Sequence, residues 1–270
     1  MHDDDSEQVD CFAAELRAQR VQRGWTQVET GDKIGYSSSY ISDLERGGRG
    51  STLPLAQAYD QVFGLPETFV RLHKLARRAA YPSFFAPVVE LEQEAVRIHL
   101  WQLGAVPGLL QTEDYARALI QATRPQDSTE AVERLVTGRM ERQQILRRGV
   151  PPRLWYLIDE AVLRRVVGGI ELMAAQLDLL ISAAQSPGVV LQVVPFNAKD
   201  HAGSDGPIEI YEFANRATIV YAECNRGGRI VEDPDEVADL ATTMNMIRAS
   251  ALAPRDTREL LIKARSELDD

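Results

Sequence analysis

Along the first third of the chain, apolar residues recur at helical spacing in short runs cut by glycine. Phe12, Leu16 and Val21 share one side of a helix predicted over residues 12–23, which Gly24 ends. Thr26, with Glu29 three residues on, forms a capping box and opens a second helix. Gly35 supplies the left-handed turn that ends it. Ser37 caps a third helix over Ser38–Glu45, which stops at Gly47-Gly48. Ser51-Thr52 ahead of Pro54 starts a fourth, apolar at Leu55, Ala58, Tyr59, Val62 and Phe63. Gly64 stops that helix, and Pro66 opens a fifth with Phe69, Val70, Leu72 and Leu75 on one face. The pattern predicts a compact all-α domain over residues 11–80.

The pattern then breaks. Ala80 to Pro87 holds two prolines and three aromatics, which predicts a pinned, extended linker. Residues 90–100 read as a short helix or strand. Helices follow at Glu113–Ala122 and about Thr129–Arg148, the second rich in arginine among acids and expected to be a solvated or interface face. From Pro151 the period shortens. Leu154–Ile158 and Val189–Val194 read as strands buried on both faces, and Ile208–Phe213 with Thr218–Tyr221 as an alternating hairpin. Helices are expected at 160–167, 171–186, 233–251 (capped by Asp233) and 257–268. The fold class is therefore mainly α: five helices, then an α+β domain with a small sheet. The expected domains are an acidic, disordered tail over 1–10, a DNA-binding domain over 11–80, and a regulatory, partner-binding and dimerisation domain over 81–270.

Charge refines this division. The whole chain carries −10, which argues against a nucleic-acid binder. Residues 11–80, however, hold ten Lys/Arg against seven Asp/Glu, so this segment is mildly basic and the acid lies elsewhere. Such a pairing is expected of a regulator with modest non-specific DNA affinity. No run is long and apolar enough for a membrane span, and the acidic N-terminus is not a signal peptide. Cys11 and Cys224 stand far apart without metal-ligand spacing, which suits a reducing cytoplasm and no structural disulfide. The expected localisation is cytoplasmic, without membrane.

Two short capped helices joined by a tight turn form a helix-turn-helix, a unit that lays its second helix in the DNA major groove. Gly31 leaves no side chain where the two helices cross. On the third helix Ser38, Ser39, Ser42 and Asp43 point outward together, while Ile41 and Leu44 point inward. Serine reads bases weakly, and Asp43 is expected to be a solvated or intradomain charge. Arg46 and Arg49 are candidates for phosphate contacts, which position without specifying. With no Arg, Asn or Gln on the outward face, half-site affinity is expected to be low. A homodimer then spans half-sites roughly 34 Å apart. The DNA-contacting set comprises Thr26, Gln27, Ser37, Ser38, Ser39, Tyr40, Ser42, Asp43, Arg46 and Arg49.

These residues resemble the lambda-repressor-like, XRE-family helix-turn-helix domain. The match rests on Arg20-x3-Gly24-x-Thr26-Gln27, Lys33-Ile34-Gly35-x-Ser37 and Tyr40-Ile41-Ser42-x-Leu44-Glu45-Arg46-Gly47. The resemblance implies that Gln27 contacts DNA and that Arg20 and Glu45 form a structural ion pair. The chain departs from the family pattern at Gln19, Thr30 and Gly31. From about Tyr81 onward it resembles the C-terminal domain of actinobacterial WhiJ-like, antitoxin-like regulators. The carriers are Val106-Pro107-Gly108-Leu109-Leu110-Gln111-Thr112, Arg139-x3-Gln143, Asp159-Glu160, Gln176-Leu177, Val194-Pro195 and Tyr221-x-Glu223. That resemblance implies a transcriptional regulator controlled by a small protein partner encoded nearby.

An alternative is a small-molecule sensor, its ligand held between the sheet and the helix after Pro107. Catalysis is not expected: His201, near Asp200, Ser204 and Asp205, offers a base and a nucleophile, but there is no Gly-x-Ser-x-Gly elbow, HExxH, Walker loop or GxGxxG. Asp159, Glu160 and Glu223 match no metal template, and their expected roles are capping and ion pairing. No cofactor and no metal is expected.

Overall fold

The computed structural model describes residues 4–47, 50–79, 85–224 and 227–269, with side chains omitted at 4–10 and 77–79. The tail expected over 1–10 and most of the 80–87 linker therefore lie outside the described side chains. The chain divides into two compact units, residues 1–83 and 84–270.

The first unit is five helices: α1 (Asp4–Gln22), α2 (Gln27–Ile34), α3 (Ser38–Glu45), α4 (Leu53–Phe63) and α5 (Thr68–Ala79). Its core joins Phe12 and Leu16 of α1, Ile41 and Leu44 of α3, and an aromatic group of Tyr59, Phe63 and Phe69. Trp25 stacks on Phe63 at 5.5 Å between ring centroids, and Lys33 Nζ lies 4.6 Å over the indole. Val21 and Leu75, expected in the core, are exposed. Helix α5 begins at Thr68 rather than Pro66 because the Asp60 carboxylate, itself buried, accepts the amides of Phe69 and Val70 at 2.8 and 3.0 Å. A carboxylate at that site satisfies amide donors that have no partner inside the helix.

The second unit is built on one six-stranded mixed sheet of order β3-β2-β1-β4-β5-β6. Its strands are β1 (Arg97–Gln102), β2 (Arg153–Asp159), β3 (Val189–Val194), β4 (Ile208–Glu212), β5 (Ile219–Cys224) and β6 (Gly227–Val231). β1, β2 and β3 run parallel, and β4 to β6 continue antiparallel. The helices are α6 (Ala86–Glu94), α7 (Glu113–Thr123), α8 (Thr129–Arg142), α9 (Ala161–Arg164), α10 (Ile170–Ala183), α11 (Pro234–Ser250) and α12 (Pro254–Ser266). One sheet face packs on α6, α7, α9, α10 and α12, through residues such as Val88, Tyr115, Met173, Leu177 and Leu261. The other packs on α11 through Met244 and Ile247, with Trp101, Leu157, Val194 and Val220 from the strands.

The sheet is larger than the sequence predicts. Residues 90–100 contain both alternatives, the end of α6 and the start of β1, and Gly227-Gly228 hides β6 from a propensity reading. Gly228 is required there, since a Cβ would overlap the Tyr221 hydroxyl. The arginine-rich helix ends at Arg142 and tightens into a 3-10 turn over Gln143–Arg147. Among the described residues, no helix is long and apolar enough to cross a membrane.

Candidate nucleic-acid interface and a buried polar cavity

The turn between α2 and α3 is fixed by backbone geometry. Gly35 takes φ 76°, and the Tyr36 amide donates to the Gly31 carbonyl at 2.9 Å. A Cβ on Gly31 would lie 2.3 Å from the Tyr36 carbonyl oxygen, so only glycine permits this crossing. Thr26 closes a full capping box with Glu29, whose carboxyl those bonds hold below its usual pKa. The buried Thr30 returns its hydroxyl to the Thr26 carbonyl at 2.9 Å.

On α3, Ser37 is the N-cap, accepting from the Tyr40 amide, and its hydroxyl lies 3.0 Å from that of Ser39. Ser38 and Ser39 are exposed, and Ser42 and Asp43 are half-buried. Tyr40 stacks on Tyr36 at 4.6 Å. Arg46 is exposed and pairs with Asp43 at 2.6 Å, which makes Asp43 an intradomain charge. Arg49 lies outside the described residues. Arg20 grips Glu45 through two guanidinium nitrogens and the Trp25 carbonyl through a third. Gln27 Nε2 donates to the same Glu45 carboxylate at 2.9 Å. The face that α3 leaves open is short, serine-rich and edged by the exposed Arg46 guanidinium.

In the second unit, the Val106–Thr112 segment becomes one hydrogen-bonded cage. The fully buried Gln176 donates to the Leu110 carbonyl at 2.7 Å and accepts the Thr112 amide at 2.8 Å. Gln143 Nε2 reaches the carbonyls of Gly108 and Gln111, and Gln111 bridges the Val106 carbonyl and Arg139. These residues stand in separate stretches of the sequence, and the fold joins them.

This cage roofs a cavity of about 160 Å³ between the sheet and the segment after Pro107. Its walls include Glu92, Arg139, Arg142, Tyr156, Glu209 and Glu223. The buried Arg142 is bidentate to the buried Glu92 at 2.8 and 2.6 Å and stacks 4.6 Å over Phe85. The arginine-rich helix was expected to be a solvated or interface face. Arg142 instead points into the core, because Gly108 leaves room for its guanidinium. Glu209, buried on β4, accepts a hydrogen bond from Tyr211, and burial with Glu92 close by pushes its carboxyl up to about 7. Burial also raises Glu223, against the pull of Arg139 and Arg142. Glu223 makes no hydrogen bond or ion pair among the described residues, so it departs from the capping or pairing role expected of it. Asp159 does cap, accepting the Ala161 amide at 2.8 Å, and Glu160 pairs with Arg164 at 3.1 Å.

His201 caps a 3-10 turn through Nδ1, accepting the Gly203 amide, and its ring abuts Trp101. Trp101 Nε1 donates to the Gly203 carbonyl at 2.8 Å, and a Cβ on Gly203 would strike the indole. The glycine-rich loop around His201 is thereby a packed lid on Trp101. On that face of the sheet His99 lies between Glu212 and Arg248, with Trp155 stacked beside it. Sequence reading missed Glu92, Arg142, Tyr156 and Glu209. The alternation around Glu209 pointed it at solvent, and nothing local shows that helices cover both faces.

A family model described as a helix-turn-helix domain matches residues 12–73. A second, described as a domain of unknown function (DUF5753), matches residues 85–263. No curated protein and no solved structure matches the chain. The helix-turn-helix match supports a DNA-binding regulator, and the second match spans well over half of the sequence. The chain belongs to the DUF5753 family, with a helix-turn-helix domain ahead of that domain.

Proposed function

We propose that this protein is a cytoplasmic transcriptional regulator of the lambda-repressor-like, XRE type. It binds operator DNA as a homodimer and is controlled through residues 84–270. The observation that carries the reading is the Gly31–Tyr36 crossing, which sets two capped helices at a fixed turn and leaves the start of α3 exposed and polar. Ser38, Ser39 and Ser42 then face the major groove while Arg46, with Arg49, meets phosphates. Thr26, Gln27, Ser37, Tyr40 and Asp43 complete the proposed contact set.

The resemblance of the C-terminal unit to antitoxin-like, WhiJ-like regulators supports control by a small protein partner. The cavity beneath Val106–Thr112 favours a second reading, a small-molecule sensor, because it gathers buried and half-buried charged side chains around one concave space. Neither reading assigns the protein a reaction.

Ser39→Glu tests the docking face. An acid in the first turn of α3 suits the helix dipole, so folding is retained while phosphate contact is opposed. Binding to a fragment of the protein's own promoter is expected to fall by at least about tenfold at fixed salt. Unchanged binding by the folded variant would remove α3 as the reading helix.

A further inference from the structure

The side chains around this cavity carry a surplus of hydrogen-bond acceptors. Glu92 and Arg142 close on each other, and Gln111 is occupied at both ends of its amide. Tyr156, only 1% exposed, lines the cavity with a hydroxyl that has no hydrogen-bond partner among the described residues. Glu223 has none either, and Glu209 has one, the Tyr211 hydroxyl. With Tyr156 and Glu209 buried and Glu223 half-buried around one space, their spare acceptor capacity points to a donor that occupies it.

Strand register brings them to one face. Leu100 of β1 lies opposite Tyr156 of β2 on one side and Glu209 of β4 on the other. Glu209 lies opposite Tyr221 of β5, and Glu223 follows two residues later on the same side. Glu209 and Glu223 are therefore diagonal cross-strand neighbours, close enough for long side chains to converge. With Glu92 neutralised by Arg142, the two carboxylates outnumber the one further guanidinium lining the space, that of Arg139.

We infer that this cavity binds a small organic cation, a primary amine whose ammonium is held by Glu209, Glu223 and the Tyr156 hydroxyl. An ammonium carries three donors and no acceptor, which matches three acceptors. A volume of about 160 Å³ exceeds what one water fills and suits a ligand of benzene-like size. Anions are disfavoured by the two carboxylates, and neutral alcohols leave the charge uncompensated. Burial holds both carboxyls above their usual range, Glu209 at about 7, so binding strengthens as pH rises and they ionise. The inference rests on the sensor reading of the second unit and makes no demand on DNA binding.

The test uses the full chain at pH 8 with n-butylammonium chloride as the probe. Sodium butyrate and n-butanol serve as controls of similar shape, at matched ionic strength. The amine is expected to raise the melting temperature saturably and to bind measurably by calorimetry, and the controls to do neither. Tyr156→Phe removes one oxygen from a packed ring, and the paired change Glu209→Gln with Glu223→Gln removes the charge. Amine affinity is expected to weaken by at least about tenfold in each. Equal response to butyrate or butanol, no response to the amine, or unweakened binding in folded Tyr156→Phe overturns the inference. Promoter binding is followed in the same samples. A missing amine response with promoter binding intact rejects the ligand alone, whereas the reverse pattern rejects the regulator reading alone.

Discussion

Gln27 and Arg20 share one acceptor: Gln27 Nε2 and Arg20 Nη2 reach the same Glu45 oxygen at 2.9 and 3.0 Å. The glutamine proposed to meet DNA is thus also part of the brace joining α1, α2 and α3. One of its two amide N–H donors is committed, which leaves the other and the carbonyl oxygen for DNA. Gln27→Ala is expected to cost about 1 kcal/mol of stability as well as DNA affinity. Ser39→Ala, whose side chain bonds only Ser37, is expected to leave stability unchanged. Urea denaturation of the two variants separates these cases. Equal stability for both would mean that the Gln27–Glu45 bond contributes nothing.

Gly31→Ala sets two effects against each other. Alanine favours a helix interior over glycine by about 1 kcal/mol. Against that, the new Cβ meets a backbone oxygen at 2.3 Å, which cannot be relieved by turning a side chain. Steric insertion of this kind costs about 1–3 kcal/mol or more, so net destabilisation is expected, with promoter binding reduced as α3 is pushed from α2. A variant as stable as the parent would show that the turn relaxes freely.

The five-helix unit was legible because its signals are local. Thr26, Gly35, Ser37 and Gly64 act on residues within one helical turn, and each marks a boundary where the structure has one. Where a distant residue sets the boundary the reading slipped: Asp60 starts α5 from another helix. The second unit was harder for the same reason. Gln176 lies 64 residues from Thr112, and Arg142 lies 50 from Glu92, so neither pairing has a spacing to recognise. The cavity was invisible because its acids look like solvent-facing positions until the covering helices are known.

Gln176 offers a direct test of the cage. Its amide satisfies two backbone groups, the Leu110 carbonyl and the Thr112 amide, from a fully buried position. Gln176→Leu keeps volume but strands both groups. A loss on the order of 2–4 kcal/mol is expected, read as a fall in the denaturation midpoint of the second unit. A neutral outcome would mean that the Val106–Thr112 segment is held by Gln143 and Arg139 alone.

Glu209 gives the second unit an unusual pH dependence. Its carboxyl titrates near 7 when folded, against an ordinary 4.5, so between these values the native state binds more protons than the unfolded chain. The stability this proton confers is therefore fully present below about 4.5 and lost as pH rises through about 7, a swing on the order of 3 kcal/mol. His99 works the other way. Burial, then Arg248 and Arg97, lowers its pKa despite Glu212, so its contribution is present above about 6.5 and lost as pH falls. The two are separated by mutation. In Glu209→Gln, which keeps the Tyr211 bond but cannot ionise, stability measured by urea denaturation should no longer decline between pH 5 and 8, leaving the rise due to His99. A decline as steep as that of the parent would place the titrating group elsewhere, with Glu223, whose carboxyl burial also raises, the next to replace.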